Sequence, residues 1–234
     1  KGMSGSIATV LAWSASVPTE TGDLTGARRT ADRALGMAAD GGSNEPIEET
    51  GTLTWVLILQ GELSAARKHA DEMLVQARDT GNKGALSNIF GELGEIDRIE
   101  GDLKRSRKMF QDGLAADGRK TPDLEFAALL AELSLAEGRP AEGVPLAERA
   151  AASFRKQGRP IDEAGALATL AGAHLALRET GPAREAIDRA LSLLEKSESR
   201  LTRIRVAITA ARVRAASGDP GDALEAGKGL EQAL

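Results

Sequence analysis

Cysteine and tyrosine are absent from the 234 residues, and aromatic residues make up only 3%. Without cysteine there is no disulfide scaffold, no thiolate metal site and no cysteine nucleophile. Histidine is nearly missing too: the 2 that occur, His69 and His174, are far apart in sequence and offer no metal-ligand spacing. Neither sign of charge dominates, since 30 basic residues face 35 acidic ones for a net charge of -5. That balance argues against a polyanion-binding basic module and against a disordered acidic tail. Long apolar runs are also lacking. Ile7 to Trp13 is the longest early stretch, far short of the roughly 20 residues a membrane span needs. Together with Lys1 and Ser14-Ala15-Ser16 it resembles a signal peptide only faintly, so the expected location is cytoplasmic, away from membranes. The chain starts on Lys1 and Leu234 falls inside a helical pattern, so the expectation is a fragment of a longer protein.

What the chain does have is a repeat. A short turn signature recurs at Gly22-Asp23-Leu24, Gly61-Glu62-Leu63, Gly101-Asp102-Leu103, Gly138-Arg139-Pro140, Arg178-Glu179-Thr180 and Gly218-Asp219-Pro220. Steps between the first residues are 39, 40, 37, 40 and 40. A near-constant period in this range marks a solenoid, a propeller or an array. Periodicity inside the units decides between them. Ala183, Ile187, Ala190, Leu191 and Leu194 fall on one face of a helix, as do Leu24, Ala27, Ala31, Ala34 and Leu35. Another helix-length segment without internal proline precedes each turn, for example Phe126 to Ala136 or Ala164 to Leu177.

No stretch sustains a period of two, and abundant alanine favours helix, so propellers and β-solenoids are excluded. The chain is therefore all-α, a single repeat domain over 1–234 of about six helical hairpins. The expected units are 5–42, 43–82, 83–120, 121–159, 160–199 and 200–234. A glycine at the turn suits a helix end that closes on a left-handed residue. The acidic residue after it suits the start of the next helix. Pro140, Pro145, Pro182 and Pro220 fall at or near first turns, where a missing N–H costs little.

These residues resemble the tetratricopeptide repeat (TPR) family. Phe90, Leu93 and Gly94 match the first half of its motif, with Asp97 where the family has an aromatic; Leu167, Leu170, Ala171 and His174 match in the fifth unit. The family's small residue in the second helix is met by Ala27, Ala66, Ser106, Gly143, Ala183 and Ala223. Its later aromatic is met only by Phe110. The period, near 40 rather than 34, is similar to longer-helix variants of bacterial regulatory proteins and kinesin light chain. The resemblance implies a right-handed superhelix whose first helices line a concave groove, in a bacterial regulatory or signalling protein that binds a protein or peptide. A ligand-sensing module holding a small molecule in that groove stays open as the alternative.

Catalysis finds no footing in these residues. There is no phosphate loop, no dinucleotide fingerprint and no nucleophile–base pair, so neither an enzyme nor a cofactor is expected. His69 reads as solvated or half-buried, and His174 as a packing residue. Asp97 reads as a buried carboxylate neutralised by Arg98, Arg105 or Arg107. Binding remains. The position six residues before each turn should project into the groove, which selects Ser16, Trp55, Glu95, Glu132, Gly172 and Arg212. Neighbours on the same faces add Glu48, Ile58, Asn88, Arg98, Glu125, Arg205 and Ile208. This groove would be apolar near Trp55, acidic in the middle and basic toward Arg205 and Arg212, suiting an extended peptide or a partner helix. Solvated helix faces would look the same, and Trp55 could equally sit in the core. Nucleic acid is not expected here, because aromatics to stack bases are missing near Arg205 and Arg212. Uncapped end units, with Ala223, Leu224, Leu230 and Leu234 at one end, predict a homodimer.

Overall fold

The computed structural model describes residues 21–40, 47–117 and 124–216, with side chains described over 21–37, 51–116 and 126–216. The described residues form ten helices and no strand. In chain order these are α1 (Leu24–Asp40), α2 (Ile47–Leu59), α3 (Leu63–Thr80), α4 (Lys83–Glu100) and α5 (Leu103–Asp117). They continue as α6 (Leu124–Ala136), α7 (Pro140–Lys156), α8 (Pro160–Ala176), α9 (Thr180–Leu194) and α10 (Arg200–Ala215). Two compact units result, Lys1–Thr121 and Pro122–Leu234. The last turn signature, and the end-unit residues Ala223, Leu224, Leu230 and Leu234, lie outside the described residues.

Each described turn falls where the repeat placed it, and the backbone explains why. Gly61, Gly101 and Gly138 adopt positive φ (77°, 87° and 72°), which lets the chain reverse while the final carbonyls stay bonded. After Gly101, for instance, the Asp102 amide donates to the Asp97 carbonyl at 2.9 Å. The fifth hairpin makes the same turn with Arg178, the one described non-glycine at positive φ (63°). Its Glu179 amide likewise donates to the His174 carbonyl at 2.9 Å. The acidic residue after the turn acts in two ways. Asp23 and Asp102 accept from the Gly26 and Arg105 amides at 2.8 and 3.0 Å, capping their helices. Glu62 makes no such cap and instead pairs with Arg28 at 2.6 Å. Pro140 opens α7 where the missing N–H costs nothing, whereas Pro145 lies inside that helix.

Packing follows the hairpin logic. Consecutive helices contact one another in both units, and first helices also touch the first helix of the next hairpin: α2 with α4, α6 with α8, and α8 with α10. First helices are therefore flanked on several sides. On α8 the buried set runs Glu163, Ala164, Ala166 through Ala171 and Ala173, while on second helix α9 it is a stripe of Ala183, Ala186, Ile187, Ala190 and Leu194. No helix among the described residues is long and apolar enough to cross a membrane.

One pair of positions shows how the single aromatic at this point of the repeat, Phe110, is accommodated. Seven residues before each turn stand Thr54, Gly94, Ala131 and Ala171; nine after it stand Ala70, Phe110, Ala147 and Ile187. All eight are buried. The glycine is matched to the aromatic: a Cβ at Gly94 would lie 2.4 Å from the Phe110 ring. At this pair the Phe110 ring fills the space that the missing Gly94 side chain leaves, as close packing requires.

Candidate functional site

Polar groups buried in the stack fall into structural ties first. Asp97 on α4 is 1% exposed and accepts from Arg67 of α3 at 2.7 Å. The Arg105 Nε of α5 lies 3.3 Å from its other oxygen. The expected carboxylate is thus buried and neutralised, but the partner set needs correction. Arg105 belongs to it, Arg67 was not foreseen, and Arg98 pairs instead with Glu95 at 2.5 Å. Desolvation works against the Arg67 charge, yet its bonds to Asp97 and Glu100 outweigh this and raise its pKa. In the second unit Glu163 of α8 plays the corresponding part, held by Arg155 of α7 at 3.1 Å and Arg189 of α9 at 2.6 Å. His174 bonds Glu179 at 2.6 Å beside the turn, which fits a packing residue. His69 is half-buried.

The faces chosen for binding divide unevenly. Trp55 on α2 is 42% exposed, so its indole stands outside the core. Ile58 does not face a groove, which corrects the expectation: it is buried in the cluster of Leu53, Leu57, Ala66 and Ile96. Three residues past Trp55, a helix has turned to about 60° from it, enough to point inward. Asn88 is exposed on α4. Glu95 is buried and bound by its own helix's Arg98, so it offers little free charge.

In the second unit Glu132 and Arg205 do meet. The Arg205 guanidinium of α10 pairs with Glu132 of α6 and donates to Thr169 Oγ1 of α8 at 2.7 Å. The acidic middle and the basic end of the expected gradient therefore neutralise each other in part. Arg212 is exposed, as is Ile208 on the same helix, and Gly172 is half-buried. The side chains of Ser16, Glu48 and Glu125 lie outside the described residues.

A residue that the six-before-turn rule missed completes the Trp55 face. Glu92 of α4 lies across Gly51 of α2: a Cβ added there would stand 3.2 Å from its Oε1. Gly51 is one helical turn before Trp55, so the carboxyl and the indole share one face of the α2/α4 junction. Burial pushes the Glu92 carboxyl up to about 8. No hydrogen bond or ion pair engages it among the described residues. Its periodicity was available in the sequence, three residues before Glu95, but its isolation was not. No group of residues able to hold a metal ion occurs among the described residues.

No family model and no curated protein matches the chain. Solved structures do. BtubC (BKLC) from P. vanneervenii superimposes with a TM-score of 0.66 at 15% identity, over 88% of this chain and 87% of that one. A kinesin light chain-like protein of Podosopora anserina with nearly identical TPR-like repeats gives 0.54 at 17% identity, over 83% and 97%. The Cut9-Hcn1 structure of the APC/C gives 0.66 at 15% identity, covering 97% of this chain but 43% of that one. At such identities the likeness concerns the fold, and that fold is a TPR-like helical solenoid.

Proposed function

We propose that this TPR-like array is a protein- or peptide-binding scaffold, the repeat segment of a bacterial regulatory or signalling protein. The observation that carries the reading is Trp55. A tryptophan left 42% exposed on a first helix forgoes burial that a core position would give it. Aromatic anchors of this kind dominate the energetics of interfaces. An extended segment lying along the first helices would cover it.

The non-catalytic part of the reading is supported by the polar groups themselves. Asp97, Glu163 and His174 are each taken up by neighbours that hold helices together. A small-molecule sensor would be expected to enclose Trp55 in an apolar pocket, whereas here the indole is 42% exposed.

The test is Trp55→Ala, read against an array of synthetic peptides. Stability should stay within ~1 kcal/mol of the parent while peptide binding falls by tenfold or more. A loss of several kcal/mol on unfolding would place the indole in the packing and end the proposal.

A further inference from the structure

We propose that the α2/α4 face formed by Trp55, Gly51 and Glu92 is a specificity site for one basic side chain, a lysine or arginine of an extended partner segment. The inference rests on the scaffold reading above and adds the chemistry of what is held. Three features converge. The Trp55 indole is exposed, and an aromatic face attracts a cation approaching it. One helical turn away, Gly51 has no side chain, and the Glu92 carboxyl lies over the gap it leaves. That carboxyl has no partner among the described residues, unlike Glu95, Asp97, Glu132 and Glu163, each of which has an arginine.

The surroundings explain why the protein itself does not satisfy Glu92. On α4, Arg98 is bound to Glu95. From α3 and α5, Arg67 and Arg105 turn to Asp97, which sits five residues on and so roughly 140° around the helix. On α2, Gly51 lies against the carboxyl, and none of the described side chains from Gly51 to Leu59 carries a charge. A half-buried carboxyl left in this state is costly to ionise alone, and an incoming cation removes that cost. Burial has already pushed its pKa up to about 8, so binding a cation at neutral pH releases a proton. Affinity then rises with pH up to that value. Among the described side chains of α2 no cation is present to receive an acidic segment.

The experiment uses the full chain and synthetic peptides graded from acidic to basic, with binding read by fluorescence anisotropy. Four proteins are compared: the parent, Trp55→Ala, Glu92→Gln, and Glu72→Gln as an exposed control. Peptides whose binding depends on Trp55 should carry lysine or arginine, and Glu92→Gln should weaken them about tenfold, or 1.4 kcal/mol. Parent affinity should climb between pH 6 and 8 and stay flat in Glu92→Gln, while Glu72→Gln behaves as the parent. The glutamine variant should also fold at least as well. The folded state holds its proton up to about pH 8, whereas the unfolded chain loses it near 4.5. The protonated parent matches the variant below 4.5 and loses stability as pH rises toward 8, so the variant's relative melting temperature climbs over that window. Trp55-dependent binding of neutral or acidic peptides, unchanged by Glu92→Gln, would overturn the basic-side-chain inference and leave the scaffold reading standing. Absence of any Trp55-dependent peptide would overturn both.

Discussion

Helices α4 and α8 are the first helices of their hairpins in two different units, and each carries a buried carboxylate between two arginines. Asp97 sits near the end of α4 and Glu163 near the start of α8. In both cases one arginine comes from the second helix before and one from the second helix after. The same tie between neighbouring hairpins is thus reached from opposite ends of a helix. The surroundings differ more than the pattern. In the first tie Arg67 is 19% and Arg105 52% exposed, whereas Arg155 and Arg189 in the second are 53% and 42% exposed. Both carboxylates are buried, but only the first tie holds one of its arginines largely out of water.

The contrast extends to hydrophobic packing. Gly94 against Phe110 in the first unit corresponds to Ala171 against Ile187 in the second, at the same distances from the turn. Phe110→Ala should be the most damaging single change, costing about 3–5 kcal/mol on denaturant unfolding, since no neighbour can refill a ring-sized void. Gly94→Ala alone should cost about 1–3 kcal/mol, because the new methyl meets the ring. Adding Phe110→Ile, which copies the second unit's pair, should recover part of that loss. A double-mutant cycle with no coupling would show that the two positions do not compensate.

Next in size is the ion-pair contrast. Asp97→Ala should cost about 2–3 kcal/mol by taking away Arg67's buried partner and leaving it only the half-exposed Glu100. Glu163→Ala should cost about 1 kcal/mol, because its arginines return to water. Equal losses would erase the distinction drawn between the two ties. Smallest is the turn. Arg178→Gly should stabilise by about 0.5–1 kcal/mol, the relief of left-handed strain offset by glycine's greater freedom when unfolded. Paired with Gly101→Ala, which should destabilise, it tests whether the two hairpins close by the same mechanism.

Most of the architecture was legible because it is written in local terms. A turn every 40 residues or so, a small residue five after it and an apolar stripe on each helix depend on near neighbours in the chain. What escaped depends on distant ones. Arg67 reaches Asp97 across 30 residues and Arg205 reaches Glu132 across 73. Only the stacked hairpins decide which guanidinium arrives first. Ile58 was misplaced for a smaller reason, a rotation of less than a fifth of a turn separating a groove face from a buried one. Glu92 was passed over because a lone carboxyl and a paired one look alike until their neighbours are fixed. Which residues make a binding face is therefore a property of the stack, while the stack itself is a property of the repeat.

The Arg205 tether gives the second unit a mechanical character. One guanidinium on α10 grips α6, two hairpins back, and touches α8 on the way. A spring is stiffened by a strut that skips a coil, and stretching this unit along its stack must first pull that strut loose. Its resistance to extension should then soften at high ionic strength, when salt competes for the guanidinium.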